Sequence, residues 1–347
     1  MRKKLLIVMF LHCLSLSLLA NVPYTVEGVL MVQQEAVTLN TADGRMFQLE
    51  MDGNKAKSFD NKQVKVEGLA READELSVLK VKKIQLIDPK QGTVELLPYK
   101  NSQRPTHIVA DTGDSMVMGN VRWGFTPAMK GSEIQFKWDA TTIKPELVDQ
   151  VYFVKKPFPP EWLAAHCFLL FTFKPGGVVN AKGVPAKGFA LSIEAYQRTN
   201  QNYSLTEGLK KTFSVVWMLT TWEDYSTLAC DVEKKKLFAY PVLFTQDQKV
   251  KLVKETLKFA AVNRAGEFYH TITNNCTNNL IVLFNRVMEK KVKMWWLPSM
   301  VYNLRATMPT MVPNFLIKKK ILGKALPEIN KTNYFADIDE LQKKTVK

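Results

Sequence analysis

Cys276 is the residue whose setting most suggests chemistry, in the stretch EFYHTITNNCTNNL at residues 267–280. It follows a run rich in Asn and Thr and precedes an apolar pattern of helical period, so we expect it at or just inside a helix N-terminus. A structural cysteine usually lies among apolar neighbours, unlike this one. Helix N-terminal amides and a nearby imidazolium lower the pKa of a thiol, and the thiolate is the nucleophile in acyl transfer. Cys276 is therefore the predicted nucleophile.

Polar and aromatic residues just before Cys276 suit a helix start and a substrate pocket. Asn274 and Asn275 can cap the helix, and free backbone N–H groups of its first turn can hold an oxyanion. Tyr269 and His270 lie on the approach loop. We expect these four residues to bind substrate or to stabilise an oxyanion.

A cysteine nucleophile needs a general base, and three histidines of the mature chain are candidates. His166 opens the apolar strand AHCFLLFTF, which gives the rigid support that a base requires. His270 lies six residues before Cys276, so the chain would have to double back for the ring to meet the thiol. His107 ends a polar linker. His166 is the preferred base and His270 the alternative, while an ordinary strand-edge histidine is the non-catalytic interpretation of His166.

A third group should fix the tautomer of the imidazole. In LSIEAYQ, Ser192 and Glu194 share one face of a predicted strand, and a buried Glu needs a partner. If this strand pairs with the one that starts at His166, either residue could orient the ring. Glu194 is the preferred choice, and a solvent-facing carboxylate is its non-catalytic interpretation.

The elements that must position these residues divide the chain into five predicted parts. Residues 23–90 alternate in polarity over short strands, with Asp43-Gly44 as a hairpin dipeptide, which is typical of a small OB-like β-barrel. A helix is predicted from the apolar spacing after residue 246, with Gly266 as its stop. The predicted parts are a signal peptide at 1–20, the barrel at 21–92, a linker with lead-in strands at 93–139, the thiol domain at 140–300 and a C-terminal extension at 301–347.

The N-terminus and the composition indicate an exported protein. MRKKLLIVMFLHCLSLSLLA has a basic start, a short apolar run and a small final residue, as secretory signal peptides do. The formal charge is +15, and it falls by three to +12 without this segment. We expect a periplasmic protein drawn to anionic lipid or acidic envelope polymers, with no nucleic-acid partner because no binding motif is present. Ligand spacing for a metal is missing, so no metal or other cofactor is expected.

Three cysteines, Cys167, Cys230 and Cys276, remain after cleavage, so at least one thiol is unpaired. If a disulfide forms, pairing of Cys167 with Cys230 would leave Cys276 free. The pattern after residue 290 mixes Trp295 and Trp296 with the lysine triplet 318–320, a combination that can mark peripheral membrane contact. Packing of the two tryptophans on the enzyme domain is the preferred interpretation, because three prolines, at 298, 309 and 313, preclude one long amphipathic helix.

The order of these motifs resembles a known exported family. The elements are VDQVYFVKKPFPPEWLAAHCFLLFTF, FALSIEAYQ, YSLTEGLKKTFSVVWML and FYHTITNNCTNNL, over about residues 140–300. They resemble domain-of-unknown-function family 4105, also described as the periplasmic domain of a bacterial lipoprotein N-acyltransferase. That family is similar to the permuted NlpC-type papain-like thiol enzymes. The family carries arginines after the Ser-x-Glu strand and in the next acidic turn. The corresponding stretches here, AYQR and WEDYSTLAC, lack arginines at those points.

The resemblance implies an α+β fold, namely a permuted papain-like (NlpC-type) domain preceded by the OB-like barrel. It also implies Cys276 as nucleophile and His166 as base, with Ser192 and Glu194 as strand residues of the family motif. The expected function is cysteine-dependent acyl transfer, or ester or amide cleavage, through an acyl-enzyme on an envelope lipid, lipoprotein or peptide substrate. A non-catalytic envelope-binding protein that retains the fold is the alternative.

Overall fold

The computed structural model describes residues 22–33, 36–41, 46–73, 76–87, 98–127, 133–199, 201–210, 212–262, 264, 267–296 and 301–346. The predicted signal peptide and the Asp43-Gly44 turn lie outside these residues. The chain forms two compact units. The first comprises Met1–Lys100, Ala195–Val215 and Arg264–Thr271, and the second comprises Asn101–Glu194, Val216–Asn263 and Ile272–Lys347. The five predicted parts stay predictions.

The first unit contains a closed barrel of five short strands. They are β1 (Val22–Gln33), β2 (Ala36–Asn40), β3 (Met46–Glu50), β4 (Gln63–Ala73) and β5 (Leu76–Leu86), in the order β1-β2-β3-β5-β4. A short helix, α1 (Gly53–Lys57), follows β3. Strands β3 and β5 run parallel, and alternate residues such as Leu30, Val66 and Leu79 fill the interior without exposure. A closed barrel is therefore present, and its assignment to the OB-like type stays a prediction.

The second unit is built on a nine-stranded mixed sheet. Its strands are β6 (His107–Asp111), β7 (Met116–Thr126), β8 (Gln135–Ile143), β9 (Val148–Pro157), β10 (Ala165–Phe173), β11 (Val178–Asn180), β12 (Gly188–Tyr196), β13 (Ser214–Thr221) and β14 (Phe238–Pro241). The order is β11-β8-β7-β13-β12-β10-β9-β14, with β6 beside β7. Strand β10 lies inside the sheet, and every residue from Cys167 to Phe173 is buried. Its unbroken apolar run is what a strand covered on both faces requires.

The helices of the second unit are α2 (Trp222–Thr227), α3 (Gln246–Ala260), α4 (Cys276–Val287), α5 (Leu304–Thr307), α6 (Val312–Lys318) and α7 (Ile338–Val346). Three of them, α2, α3 and α4, begin at a capping side chain, from Thr221, Thr245 and Asn275 in turn. Thr245 and Gln248 form a capping box at the start of α3. The predicted stop at Gly266 was wrong, because α3 ends at Ala260 and Gly266 lies outside the described residues. Within the described ranges, no helix is long and apolar enough to cross a membrane.

Two elements differ from what the sequence pattern suggests. Strand β7 was not predicted, because Asn120 and Gly124 have positive φ angles of 57° and 149° and its pairing with β8 is interrupted by bulges. Residues 329–347, whose polar composition predicts a frayed tail, instead place Ile329 and Ile338 in the core beneath β9 and β10. The structure combines helices with a larger share of strands, which is compatible with the predicted α+β class. The papain-like type of this fold stays a prediction.

Candidate functional site

Cys276 is the first residue of α4, as the helical pattern predicts. Asn275 caps the helix, with its side-chain oxygen accepting a hydrogen bond of 2.9 Å from the Asn278 N–H. The thiol therefore lies at the positive end of the helix dipole, where a negative charge is stabilised. Only 1% of the Cys276 surface is exposed.

Several donors converge on the Cys276 sulfur. The backbone N–H of Cys167 donates to Sγ at 3.5 Å, and the Thr277 hydroxyl lies 3.7 Å from it. Burial favours the neutral thiol and raises its pKa. The positive charge of the His166 imidazolium, together with hydrogen bonds from that ring, the Cys167 N–H and Thr277, outweighs burial, so the pKa of Cys276 is lowered below its usual value. A thiolate is thus favoured at this position.

The imidazole ring of His166 is hydrogen-bonded to Ser192. Nε2 of His166 lies 2.7 Å from the Ser192 Oγ, and that hydroxyl donates to Oε1 of Glu194 at 2.6 Å. A serine has one hydroxyl proton, so Ser192 must accept the hydrogen bond from His166. Nε2 of His166 therefore carries a proton, which leaves Nδ1 as the ring atom that can accept a proton from the thiol.

Glu194 ends this chain of hydrogen bonds. Its Oε2 accepts a bond of 2.8 Å from the Gln103 side chain, and its Oε1 lies 4.0 Å from Nε2 of His166. Burial raises the pKa of Glu194, but the His166 charge, the bonds from Ser192 and Gln103 and the nearby Lys156 together keep that pKa below its usual value. Glu194 is therefore a carboxylate that stabilises positive charge on His166.

Lys156 lies on β9 as the direct cross-strand neighbour of His166. Its ammonium group pairs with Glu233 at 3.1 Å and lies 5.3 Å from the centre of the Tyr225 ring. Burial lowers the pKa of Lys156, yet electrostatic interaction with Tyr225 and with the carboxylates of Glu233 and Glu194 raises it above the usual value. The site therefore contains a fixed cation on the strand next to the imidazole.

The surroundings of Cys167 and Cys230 raise the pKa of their thiols, in contrast to Cys276. Burial, followed by the charge of Cys276, raises the pKa of Cys167 well above its usual value. Burial raises the pKa of Cys230 to about 11. All three cysteines are free, so the Cys167–Cys230 pairing considered from the sequence does not occur. Of the three thiols, only that of Cys276 has its pKa lowered by its surroundings.

The remaining predicted site residues divide into two groups. Asn274 and Asn275 are buried and engaged at the helix start, since Oδ1 of Asn274 accepts a bond of 2.7 Å from Asn279 and Asn275 is the cap. These side chains are therefore engaged at the helix start, and their predicted oxyanion role passes to backbone N–H groups of the first turn of α4. Tyr269 and His270 belong to the first unit, where Tyr269 packs edge-on against Tyr203. Their predicted substrate contact stays a prediction.

Gln103 and Lys156 are the site residues that the sequence analysis missed. Gln103 precedes Glu194 by 91 residues in a polar stretch without any motif. Lys156 could have been found from the β9–β10 hairpin, because its register places Lys156 opposite His166. His107, assigned to the linker end, is the first residue of β6 and is exposed. The described residues contain no group of His, Cys, Asp and Glu arranged to hold a metal ion.

Two family models match parts of this chain. Residues 135–307 match the family model described as the Lnb N-terminal periplasmic domain, and residues 27–87 match a protein of unknown function, DUF5818. No significant match was found among curated proteins or among solved structures. The first match includes Cys276, His166, Ser192 and Glu194, and it supports a periplasmic, envelope-related protein.

Proposed function

We propose that this protein is a periplasmic thiol enzyme that cleaves an ester or amide through an acyl-enzyme and passes the acyl group to water or an amine. Its expected substrate is an envelope lipid or a lipoprotein-like molecule. The observation that carries the proposal is the position of Cys276 at the start of α4, with a His166 ring that lowers the pKa of the thiol and that is hydrogen-bonded through Ser192 to Glu194.

In the first half-reaction, Nδ1 of His166 takes the proton of the Cys276 thiol. The sulfur attacks the carbonyl carbon of the substrate, a C–S bond forms and the carbonyl π electrons move to oxygen. Backbone N–H groups at the start of α4 stabilise this oxyanion. When the intermediate collapses, the bond to the alcohol or amine breaks, and His166 returns the proton to that leaving group. The product is a thioester on Cys276.

The second half-reaction reverses these roles. His166 takes a proton from water or from an incoming amine, whose oxygen or nitrogen then attacks the thioester carbonyl. The C–S bond breaks, and the sulfur leaves as a thiolate that His166 reprotonates. Hydrolase and acyltransferase therefore share one mechanism and differ only in the acceptor.

Glu194 and Ser192 act through His166 in both halves of the reaction. Each half passes through an imidazolium, and the carboxylate lies 4.0 Å from Nε2 with the serine oxygen between them. Stabilising this cation lowers the energy of the thiolate–imidazolium pair relative to the neutral pair. Ser192 also holds the ring so that Nδ1 remains available for the thiol.

Trapping of the acyl-enzyme tests this proposal. The purified protein is mixed with a p-nitrophenyl acyl ester, and intact-mass spectrometry with peptide mapping locates any adduct. We expect one acyl group on Cys276, released by neutral hydroxylamine as a thioester is. Cys276→Ala should lose both the adduct and the p-nitrophenol burst, whereas Cys230→Ala should keep them.

Two observations favour the alternative, a non-catalytic envelope-binding protein. Cys276 is almost fully covered, and the acidic turn WEDYSTLAC lacks the arginine that the resembling family carries there. If no adduct forms on Cys276, or if the adduct persists in Cys276→Ala, the enzyme proposal fails and the binding role replaces it.

A further inference from the structure

The segment between Glu289 and Glu328 is strongly cationic. It carries seven lysines, one arginine and no Asp or Glu. At the chain's average of 33 acidic residues in 347, a stretch of 38 residues would contain about four. More than half of the formal charge of +15 is thus concentrated in about a ninth of the chain. Such a segment creates a local positive potential.

This charge lies on the surface together with apolar side chains. Helix α6 buries Val312 and Leu316 without exposure, while Met311 on its other side is 42% exposed. Phe315 lies one turn after Met311, and the Lys319 ammonium group is 5.2 Å from the centre of its ring. The lysines at 318–320 are all exposed at the end of this helix. The outer face of α6 is therefore apolar near Met311 and Phe315 and cationic at residues 318–320.

An exposed leucine from another element extends this surface. Leu243, which is 56% exposed, follows β14. Its backbone N–H donates to the carbonyl of Ile321 at 2.9 Å, so Leu243 lies directly beside the lysine triplet. We define the docking surface as Leu243, Met311, Phe315 and residues 318–320.

We propose that this docking surface binds the anionic phospholipid surface of a membrane. Lysines pair with phosphate head groups, while Met311 and Leu243 enter the boundary between head groups and acyl chains. An acidic protein would satisfy the lysines but would leave the exposed apolar side chains without a matching environment. Trp295 and Trp296 form a two-residue strand, β15, paired with β16 (Val301–Tyr302), and their side chains are not used in this inference.

The surface is connected to the candidate site through the chain that precedes α6. The Asn275 side chain donates to the carbonyl of Thr307 at 3.5 Å, and the Cys167 thiol lies 3.7 Å from the carbonyl of Pro309. Residues 307–309, just before α6 begins, therefore contact Asn275 and Cys167, which both lie next to the reactive thiol. Docking would bring the site to the membrane surface, although the docking proposal itself depends only on charge and exposure and not on the proposed chemistry.

Vesicle sedimentation of the full chain tests the inference. Vesicles of phosphatidylcholine with 30% phosphatidylglycerol are compared with pure phosphatidylcholine at low and high salt. We expect binding to the anionic vesicles only, weakened by salt. A basic residue near an anionic surface contributes about five-fold in affinity, so Lys318→Gln/Lys319→Gln/Lys320→Gln should bind about 100-fold more weakly. Thermal melting checks that this variant stays folded.

The matched control neutralises another exposed lysine cluster, as Lys80→Gln/Lys82→Gln/Lys83→Gln on β5. It removes the same charge and should bind nearly as tightly as the wild type. Equal losses in both triple variants would show that only net charge matters, and this outcome would overturn the docking surface. Equal binding to neutral vesicles, unchanged binding of the 318–320 variant, or equally tight binding to polyglutamate would overturn it too. Since vesicle binding needs no thiol, failure here leaves the enzyme proposal intact.

Discussion

Ser192 connects an acid and a base that do not contact each other directly. Its oxygen lies 2.7 Å from Nε2 of His166 and 2.6 Å from the Glu194 carboxylate. Because one hydroxyl proton cannot be donated in both directions, the bonds have one polarity, from His166 through Ser192 to Glu194. Because His166 donates to Ser192, its Nε2 carries a proton. Nδ1 is then the ring nitrogen that can accept the proton of Cys276.

Glu194→Gln is expected to raise the pKa of Cys276. The amide keeps an acceptor for Ser192 but removes the negative charge that stabilises the imidazolium, and that cation lowers the pKa of the thiol. A lowered thiol pKa supplies thiolate above that pKa and loses it as pH falls, so the pH profile of alkylation should move to higher pH. Turnover near neutral pH should fall by about ten-fold or more, a barrier increase of about 1.4 kcal/mol.

Alkylation rates of Cys276 across pH, followed by mass spectrometry, measure this shift. Glu146→Gln, which removes a carboxylate paired with Lys254 at 2.8 Å, is the control and should leave the profile unchanged. An unchanged profile in Glu194→Gln would show that the carboxylate does not act on the thiol.

At the scale of elements, the start of α4 and the register of β10 determine the site. Leu169 of β10 pairs with Leu191 of β12, and continuing this register brings position 166 toward position 194. The helix start then supplies the thiol, and the Cys167 N–H of β10 donates to its Sγ. Neither element contains the site alone, since the sulfur comes from α4 and the imidazole from β10.

Asn275→Ala should destabilise the second unit by about 1 kcal/mol, because the Asn278 N–H loses the capping oxygen. Asn275→Asp keeps the capping acceptor but loses the donor to the Thr307 carbonyl, and its negative charge beside Cys276 should raise the pKa of the thiol. Urea unfolding measures the stability, and pH-dependent alkylation measures the thiol. Equal stability of the Ala variant and the wild type would contradict the assigned cap.

At the scale of the molecule, the chain beyond the matched family domain is part of the core. Ile338 has no exposed surface and belongs to the cluster with Tyr152 and Leu170. The Tyr152 hydroxyl donates to Asp339 at 2.7 Å, and Lys187 pairs with the same carboxyl group at 2.6 Å. Residues 338–339 thus tie α7 to the sheet that supports the site.

Ile338→Ala should cost about 3 kcal/mol of unfolding free energy, the usual effect of a cavity in a packed core. Phe335→Ala is the matched control, because the Phe335 side chain is 76% exposed and its removal should cost much less. Chemical denaturation of both variants measures the two losses of unfolding free energy. Similar losses in the two would show that α7 does not pack as described.

The sequence predicted local features well and distant contacts poorly. The helix start at Cys276, the strand at His166 and the shared face of Ser192 and Glu194 follow from periodicity and capping residues. Gln103 could not be predicted, because its contact with Glu194 depends on how distant segments pack. The burial of Ile338 was missed for the same reason, since a polar composition hides the few apolar residues that reach the core.

The pH dependence of site-resolved alkylation tests the central claim most directly. Iodoacetamide is applied to the folded protein over a range of pH, and the labelled cysteine is identified by peptide mapping. The account predicts that Cys276 reacts at near-neutral pH, ahead of Cys167 and of Cys230, whose pKa is raised to about 11, and that His166→Asn removes this advantage. Equal or later labelling of Cys276, or early labelling that persists in His166→Asn, would contradict it.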